Sequence, residues 1–121
     1  MLAFLAPPVV VSAVDDVHYF WRWTDGSRAH ARTFSDPGIG SVEPPGLRVA
    51  SEPAVRGRLV VLQFRDDRGW HTEDAARTDE RGVAVVGLNP FCADGGWCDR
   101  ALDYRLRVDG QDAAVRVTFD G

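Results

Sequence analysis

RLVVLQFR, residues 58–65, is the stretch that decides the fold. Apolar side chains recur at every second position from Val60 through Leu62 to Phe64, which is the period of a β-strand with one buried face. The next residues, DDRG (66–69), favour a turn, and WHTEDAART (70–78) comes after it as a second strand. We therefore expect Val60, Leu62 and Phe64 to face the core together.

The same alternation continues towards the C-terminus and predicts further strands. These are LRVAS (47–51), VAVVGL (83–88), LDYRLRVD (102–109) and AAVRVTF (113–119). Two more sets of side chains are expected to point inward, namely Tyr104, Leu106 and Val108, and Val115, Val117 and Phe119. Seven to eight short strands at this spacing, with no convincing helix, predict an all-β fold, an antiparallel β-sandwich.

The first third of the chain is harder to interpret. VVVSAV (9–14) is a predicted strand, and VHYFWRW (17–23) and RAHARTF (28–34) are expected to form a hairpin around the turn at 24–27. Three prolines and three glycines in residues 35–46 predict a loop without regular structure. Because a hairpin alone is marginal in water, we expect one domain over 1–121.

Residues 1–13 leave three interpretations open. Val11-Ser12-Ala13 resembles the cleavage site of a secretion signal, although no positive region precedes the apolar stretch. The stretch also fits a first strand entered after Pro7-Pro8, which we favour slightly. The third interpretation is that Met1 is a start added to a domain cut from a longer protein.

Composition and charge limit the partners. The net charge is −4, all fourteen basic residues are arginine, and charges of both signs are interspersed. A nucleic-acid partner is therefore not expected, because phosphate binding needs a basic face. No apolar run reaches the roughly 18 residues of a membrane-spanning helix, so no membrane span is expected.

Cys92 and Cys98 are the two cysteines, and five turn-rich residues separate them. Zinc would need four ligands, and the three histidines are scattered, so no metal and no cofactor are expected. A redox pair would have CxxC spacing, and two free thiols remain an alternative. We favour a disulfide that fixes the shape of the loop, which implies an oxidising compartment and a secreted or cell-surface protein.

Several short motifs carry a resemblance over residues 53–119. They are Gly57-Arg58 with Val60, Leu62 and Gln63, then Gly69-Trp70, Thr78-Asp79 with Gly82, and Tyr104-Arg105 with Val108. In these motifs the chain resembles the immunoglobulin-like or transthyretin-like β-sandwich modules of secreted bacterial, especially actinobacterial, proteins. The resemblance implies an immunoglobulin-like portion over 47–121, preceded by an N-terminal strand, hairpin and loop over 1–46. It implies a binding, adhesive or spacer role, and it supplies no catalytic residue.

The aromatic strand offers the main candidate binding site. Tyr19, Trp21 and Trp23 share one face, and Phe20 lies on the other, with His18 and Arg22. The alternative is that the first three simply form part of the core. Trp97 inside the cysteine loop is a second candidate contact, or else a plug at the end of the sandwich. The candidate binding residues are Tyr19, Phe20, Trp21, Trp23 and Trp97.

No pattern of catalytic residues is present. The chain has no GxSxG motif, and its adjacent acids, such as Asp66-Asp67 and Asp79-Glu80, have turn-forming contexts without calcium-loop spacing. We therefore predict no enzyme, but a non-catalytic secreted or surface module that binds a protein or glycan or acts as a spacer. The alternative is a small secreted enzyme inhibitor or toxin-like protein that uses the 92–98 loop. An open sandwich has unpaired edge strands, so pairing of two copies through an edge strand is a further expectation for this chain.

Overall fold

The computed structural model describes residues 16–38 and 44–121. This part of the chain is all-β and contains no helix. Its strands, numbered here in chain order, are β1 His18–Trp23, β2 Ala31–Ser35, β3 Leu47–Glu52, β4 Leu59–Asp66, β5 Gly69–Arg77, β6 Val83–Val86, β7 Arg100–Val108 and β8 Gln111–Asp120. The predicted strand over 9–14 lies outside the described residues.

The strands form two sheets that pack as a β-sandwich. The smaller sheet has the order β1-β3-β6, and the larger has the order β2-β8-β7-β4-β5. Every neighbouring pair is antiparallel except β2 and β8, which are parallel. Both sheets contribute buried side chains to one hydrophobic core. The predicted β-sandwich is thus confirmed.

The alternate apolar residues of β4, β7 and β8 were predicted to face the core, and most of them are buried. Val60 and Leu62 are fully buried, and the inward sets on β7 and β8 are buried as well. Phe64 is only half-buried, and it lies just beyond the point where the register of β4 against β5 shifts, between Leu62 and Gln63. It packs instead against the edge of the core and stacks on His71, with 5.3 Å between ring centroids.

The predicted hairpin of 17–23 with 28–34 is wrong. β1 pairs with β3 in the smaller sheet, whereas β2 pairs with β8 in the larger one. The turn does form, since Gly26 N donates to Trp23 O, but the chain then crosses from one sheet to the other. The crossing lets Trp23 and Phe34 meet across the core at 5.4 Å between ring centroids.

The Thr78-Asp79…Gly82 motif closes the connection between β5 and β6. Asp79 Oδ1 accepts hydrogen bonds from Arg81 N and Val83 N, which holds the turn. Gly82 has a positive φ of 76°, and a Cβ there would lie 2.2 Å from Ser51 Oγ. This part of the resemblance therefore has a purely structural basis in turn geometry and close packing.

Candidate interaction face

The outer face of the smaller sheet is built by the alternation of its three strands. Trp23, Leu47 and Val86 point inward and are fully buried, so their neighbours along each strand point outward. We call this outward surface the Phe20 face. It comprises Phe20 and Arg22 of β1, Arg48, Ala50 and Glu52 of β3, Val83 and Val85 of β6, and the nearby Arg28.

An apolar strip runs across the Phe20 face. Phe20 is paired with Ala50, and Ala50 is paired on its other side with Val83. The Phe20 side chain is 58% exposed and that of Val85 is 51% exposed. Phenylalanine has no polar tip to satisfy in water, so this exposure leaves apolar area uncovered in the free protein.

Arginines flank the apolar strip. Arg22 and Arg48 are directly opposite each other in the register of β1 and β3, and Arg28 lies beside them. Among the residues that the structure describes, none of the three forms an ion pair. Together with Phe20 and Glu52 they line an open depression of about 550 Å³.

On the outer face of the larger sheet, several charged groups have partners within the sheet. Arg116 pairs with Asp103 at 2.7 Å, and Arg107 pairs with Asp112 at 2.8 Å. Arg105 lies over the Trp70 ring, 4.1 Å from its centroid, and donates to a glutamine. The Phe20 face therefore combines the two most exposed large apolar residues of the described part of the chain with arginines that form no ion pair there.

The three other aromatic residues of the candidate strand have structural contacts. Trp23 is 0% exposed and its Nε1 donates to Ala29 O at 2.9 Å, so it lies in the core and not at a binding surface. Trp21 is half-buried and packs edge-on against His30. The half-buried Tyr19 donates its hydroxyl hydrogen to Asp109. Of the predicted strand residues, Phe20 is thus the one that projects into solvent.

Tyr19 also ties the two sheets together. Asp109, in the turn between β7 and β8, accepts from both the Tyr19 hydroxyl and Arg58. Partial burial, together with this carboxylate, raises the pKa of Tyr19. The contact anchors β1 over the larger sheet and so fixes the strand from which Phe20 projects.

The loop between Cys92 and Cys98 contains Trp97, the second candidate binding residue. Cys92 and Cys98 form a disulfide, with their Cα atoms 5.1 Å apart. Trp97 is half-buried and packs edge-on against Phe119 of the core at 6.0 Å between centroids. Trp97 is also bridged to Phe91, so its ring closes the end of the sandwich. Small and acidic side chains, at 93–96, are left on the outside of the loop.

A carboxylate of β5 is partly buried near this loop. The register shift between Leu62 and Gln63 makes Glu73 the extra residue of a β-bulge, which turns its side chain towards Tyr104. The Tyr104 hydroxyl donates to Glu73 Oε2 at 3.0 Å, and Asn89 N donates to the same oxygen at 2.9 Å. Burial raises the pKa of the Glu73 carboxyl, and burial beside this carboxylate raises the pKa of Tyr104.

None of the three histidines hydrogen-bonds to a hydroxyl or thiol of the described residues. His71 Nε2 lies 2.7 Å from Asp66 Oδ1 on the β4–β5 hairpin, but no hydroxyl or thiol of the described residues hydrogen-bonds to this histidine. No group of three histidine, cysteine, aspartate or glutamate side chains within 16–38 and 44–121 could hold a metal ion.

Several residues of the Phe20 face were not predicted from the sequence, namely Arg28, Arg48, Ala50, Glu52, Val83 and Val85. The outward alternation of 47–51 was a usable signal. It could not be combined with that of β1, because the pairing of β1 with β3 was not foreseen.

Comparisons with known proteins return nothing: no protein-family model, no curated protein and no solved structure matches this chain. Within the part of the chain that the structure describes, no helix is long and apolar enough to cross a membrane.

Proposed function

We propose that this protein is a non-catalytic binding module of a secreted or cell-surface protein, and that it contacts a protein or glycan partner through the Phe20 face. The observation that carries the proposal is the exposed Phe20 ring flanked by arginines that have no ion-pair partner among the described residues. The immunoglobulin-like or transthyretin-like character of the module belongs to this proposal.

The energetics support a binding role for this face. Aromatic and arginine side chains are enriched at protein interfaces and supply much of their binding energy. A partner that covers Phe20 and Val85 removes apolar area from water without breaking any contact within the domain. On the larger sheet, by contrast, Arg116 and Arg107 would have to exchange existing carboxylate partners in order to bind an acidic ligand.

The disulfide supports the extracellular part of the proposal. Disulfides persist in oxidising compartments and are rare in the cytosol. The loop that it closes lies beside the core residue Phe119, away from the Phe20 face. We therefore assign the disulfide a stabilising role and place binding on the sheet.

The test uses two defined probes, a phage-displayed library of random peptides and an array of purified glycans. Ligands recovered on the wild type are measured again on Phe20→Ala and on a matched control, Trp70→Ala, which removes a half-buried aromatic side chain from the larger sheet. We expect Phe20→Ala to lose binding and Trp70→Ala to retain it. Recovery of no ligand by either probe, or ligands bound equally by Phe20→Ala, would contradict the proposal.

A further inference from the structure

We propose that the Arg22–Arg48 pair is a carboxylate-binding position for an acidic side chain of a partner protein, and that Phe20 and Ala50 receive an apolar side chain next to it. This inference rests on the proposed function and specifies the chemistry of its ligand.

The strand register places the two arginines side by side. Arg22 and Arg48 are Cα partners on adjacent antiparallel strands, and both side chains project from the outer face. Side chains directly opposite in this way have Cβ atoms about 5 Å apart, and like charges at such positions repel. The free protein therefore holds two like charges side by side along the margin of the apolar strip.

No ion pair within the described part of the domain neutralises either arginine. Glu52 is the one carboxylate among the described residues that line the depression, and it lies two outward positions along β3 from Arg48. That spacing is roughly 13 Å along the strand, which is beyond direct pairing in the register observed. Backbone hydrogen bonds chiefly lower the pKa of Asp79, and the charges of Arg81 and then Arg48 add to this effect, but Asp79 forms no ion pair with either arginine.

The geometry of the guanidinium group suits a carboxylate ligand. Arginine binds carboxylates through two parallel N–H···O bonds, and these charge-assisted bonds are stronger than neutral ones. One carboxylate placed between Arg22 and Arg48 would accept from both forks and replace their repulsion by attraction. The repulsion that the free protein carries is thus relieved in the complex, which is an expected compromise between stability and function.

The neighbouring groups favour a protein ligand over a glycan. Phe20, Ala50, Val83 and Val85 offer no hydrogen-bonding side chains, whereas a sugar presents hydroxyl groups on most of its surface. An apolar side chain beside an acidic one matches both halves of the face. We therefore infer a partner segment in which a glutamate or aspartate lies close to an aliphatic or aromatic residue.

The experiment is a parallel selection from a random peptide library on wild-type protein and on the double variant Arg22→Gln/Arg48→Gln. A second double variant, Arg65→Gln/Arg68→Gln, removes the same charge at the distant β4–β5 hairpin and serves as the control. We expect peptides with an acidic residue near an apolar one to be enriched on the wild type and on the control. Their affinity should fall at least about tenfold on Arg22→Gln/Arg48→Gln, the size expected for losing a charge-assisted contact.

Folding is checked on the same proteins by thermal unfolding. Because a like-charge contact is removed, Arg22→Gln/Arg48→Gln should have a melting temperature no lower than that of the wild type. A lower melting temperature would show that the two arginines stabilise the free domain, which overturns the inference.

The remaining outcomes separate this inference from the proposed function. Peptides that lose binding on Phe20→Ala but bind Arg22→Gln/Arg48→Gln normally would leave the proposed function intact and overturn the carboxylate position. Binding of heparin oligosaccharides without enrichment of acidic peptides would overturn the protein ligand in favour of an anionic glycan. A wild-type dimer that Arg22→Gln/Arg48→Gln converts to a monomer would overturn it in favour of a second copy of this chain.

Discussion

Replacing Phe20 and Trp23 separately by alanine tests the assignment of the two faces of β1. The two aromatic side chains belong to the same strand, but Trp23 is fully buried and Phe20 is 58% exposed. Trp23→Ala removes a core indole and its hydrogen bond to Ala29 O, so we expect a loss of about 3–5 kcal/mol in the free energy of unfolding. Complete burial of a phenylalanine contributes about 1.5–3 kcal/mol, and roughly two fifths of the Phe20 side chain is covered, so Phe20→Ala should cost about 1 kcal/mol.

The assay is urea unfolding followed by far-ultraviolet circular dichroism, which does not depend on the fluorescence of the tryptophan that is removed. Because a domain has only about 5–15 kcal/mol of total stability, Trp23→Phe serves as a milder core variant if Trp23→Ala does not fold. Equal costs for the Phe20 and Trp23 alanine variants would refute the reasoning. They would mean that Phe20 is covered in solution, and the exposed face that carries the proposed function would not exist.

Three further predictions concern stability. Gly82→Ala places a methyl group against Ser51 at a positive φ, so calorimetry should show that the free energy of unfolding falls by about 2–5 kcal/mol. Gly110 has a similar φ but open space around it, so Gly110→Ala should lower the free energy of unfolding by only about 1–2 kcal/mol. Equal losses for the two variants would contradict the close packing of Gly82 against Ser51. Replacing both cysteines by serine should cost about 2 kcal/mol in urea unfolding, as expected for a loop this short, and no change would show that the disulfide does not restrict the unfolded chain. Glu73 has a raised pKa when folded, so its contribution to stability is complete below its unfolded pKa of about 4.3 and is lost as pH rises through the folded value. Denaturation of wild type and Glu73→Gln between about pH 4 and pH 8 should therefore show the wild type weakening relative to the variant, and a constant or opposite difference would contradict the burial of the charge.

Local patterns predicted the strands well, because each depends on the alternation of neighbouring residues. Leu62, Leu106 and Val117 are buried as their alternation indicated, and the two cysteines form the expected disulfide. The turn after Trp23 was also recognised from its residues. The path of the chain beyond that turn depends on where Phe34 finds space in the core, and the alternation within 28–34 contains no information on that.

In the candidate site too, features within one strand could be predicted from the sequence, whereas features that depend on pairing between strands could not. The outward position of Phe20 follows from the alternation of β1 and was predicted together with that of Arg22. Its partners Arg48 and Ala50 come from β3, and they join the site only through a pairing between strands far apart in sequence. The bulge at Glu73 could not be foreseen either, since a register shift depends on the partner strand as much as on the residue itself.

The parallel pairing of β2 with β8 has a consequence for how the chain folds. Ala31 is paired with Arg116, so β2 cannot join the larger sheet until β8, which is synthesised much later, is available. Contacts between such distant residues require the closure of a long loop before they contribute stability, and they slow folding. Until β8 is available, the inward-facing side of β2, including Phe34, has no sheet to join. A nascent chain therefore exposes β2 to misassociation, and the time for which it does so depends on how quickly the β7–β8 hairpin forms.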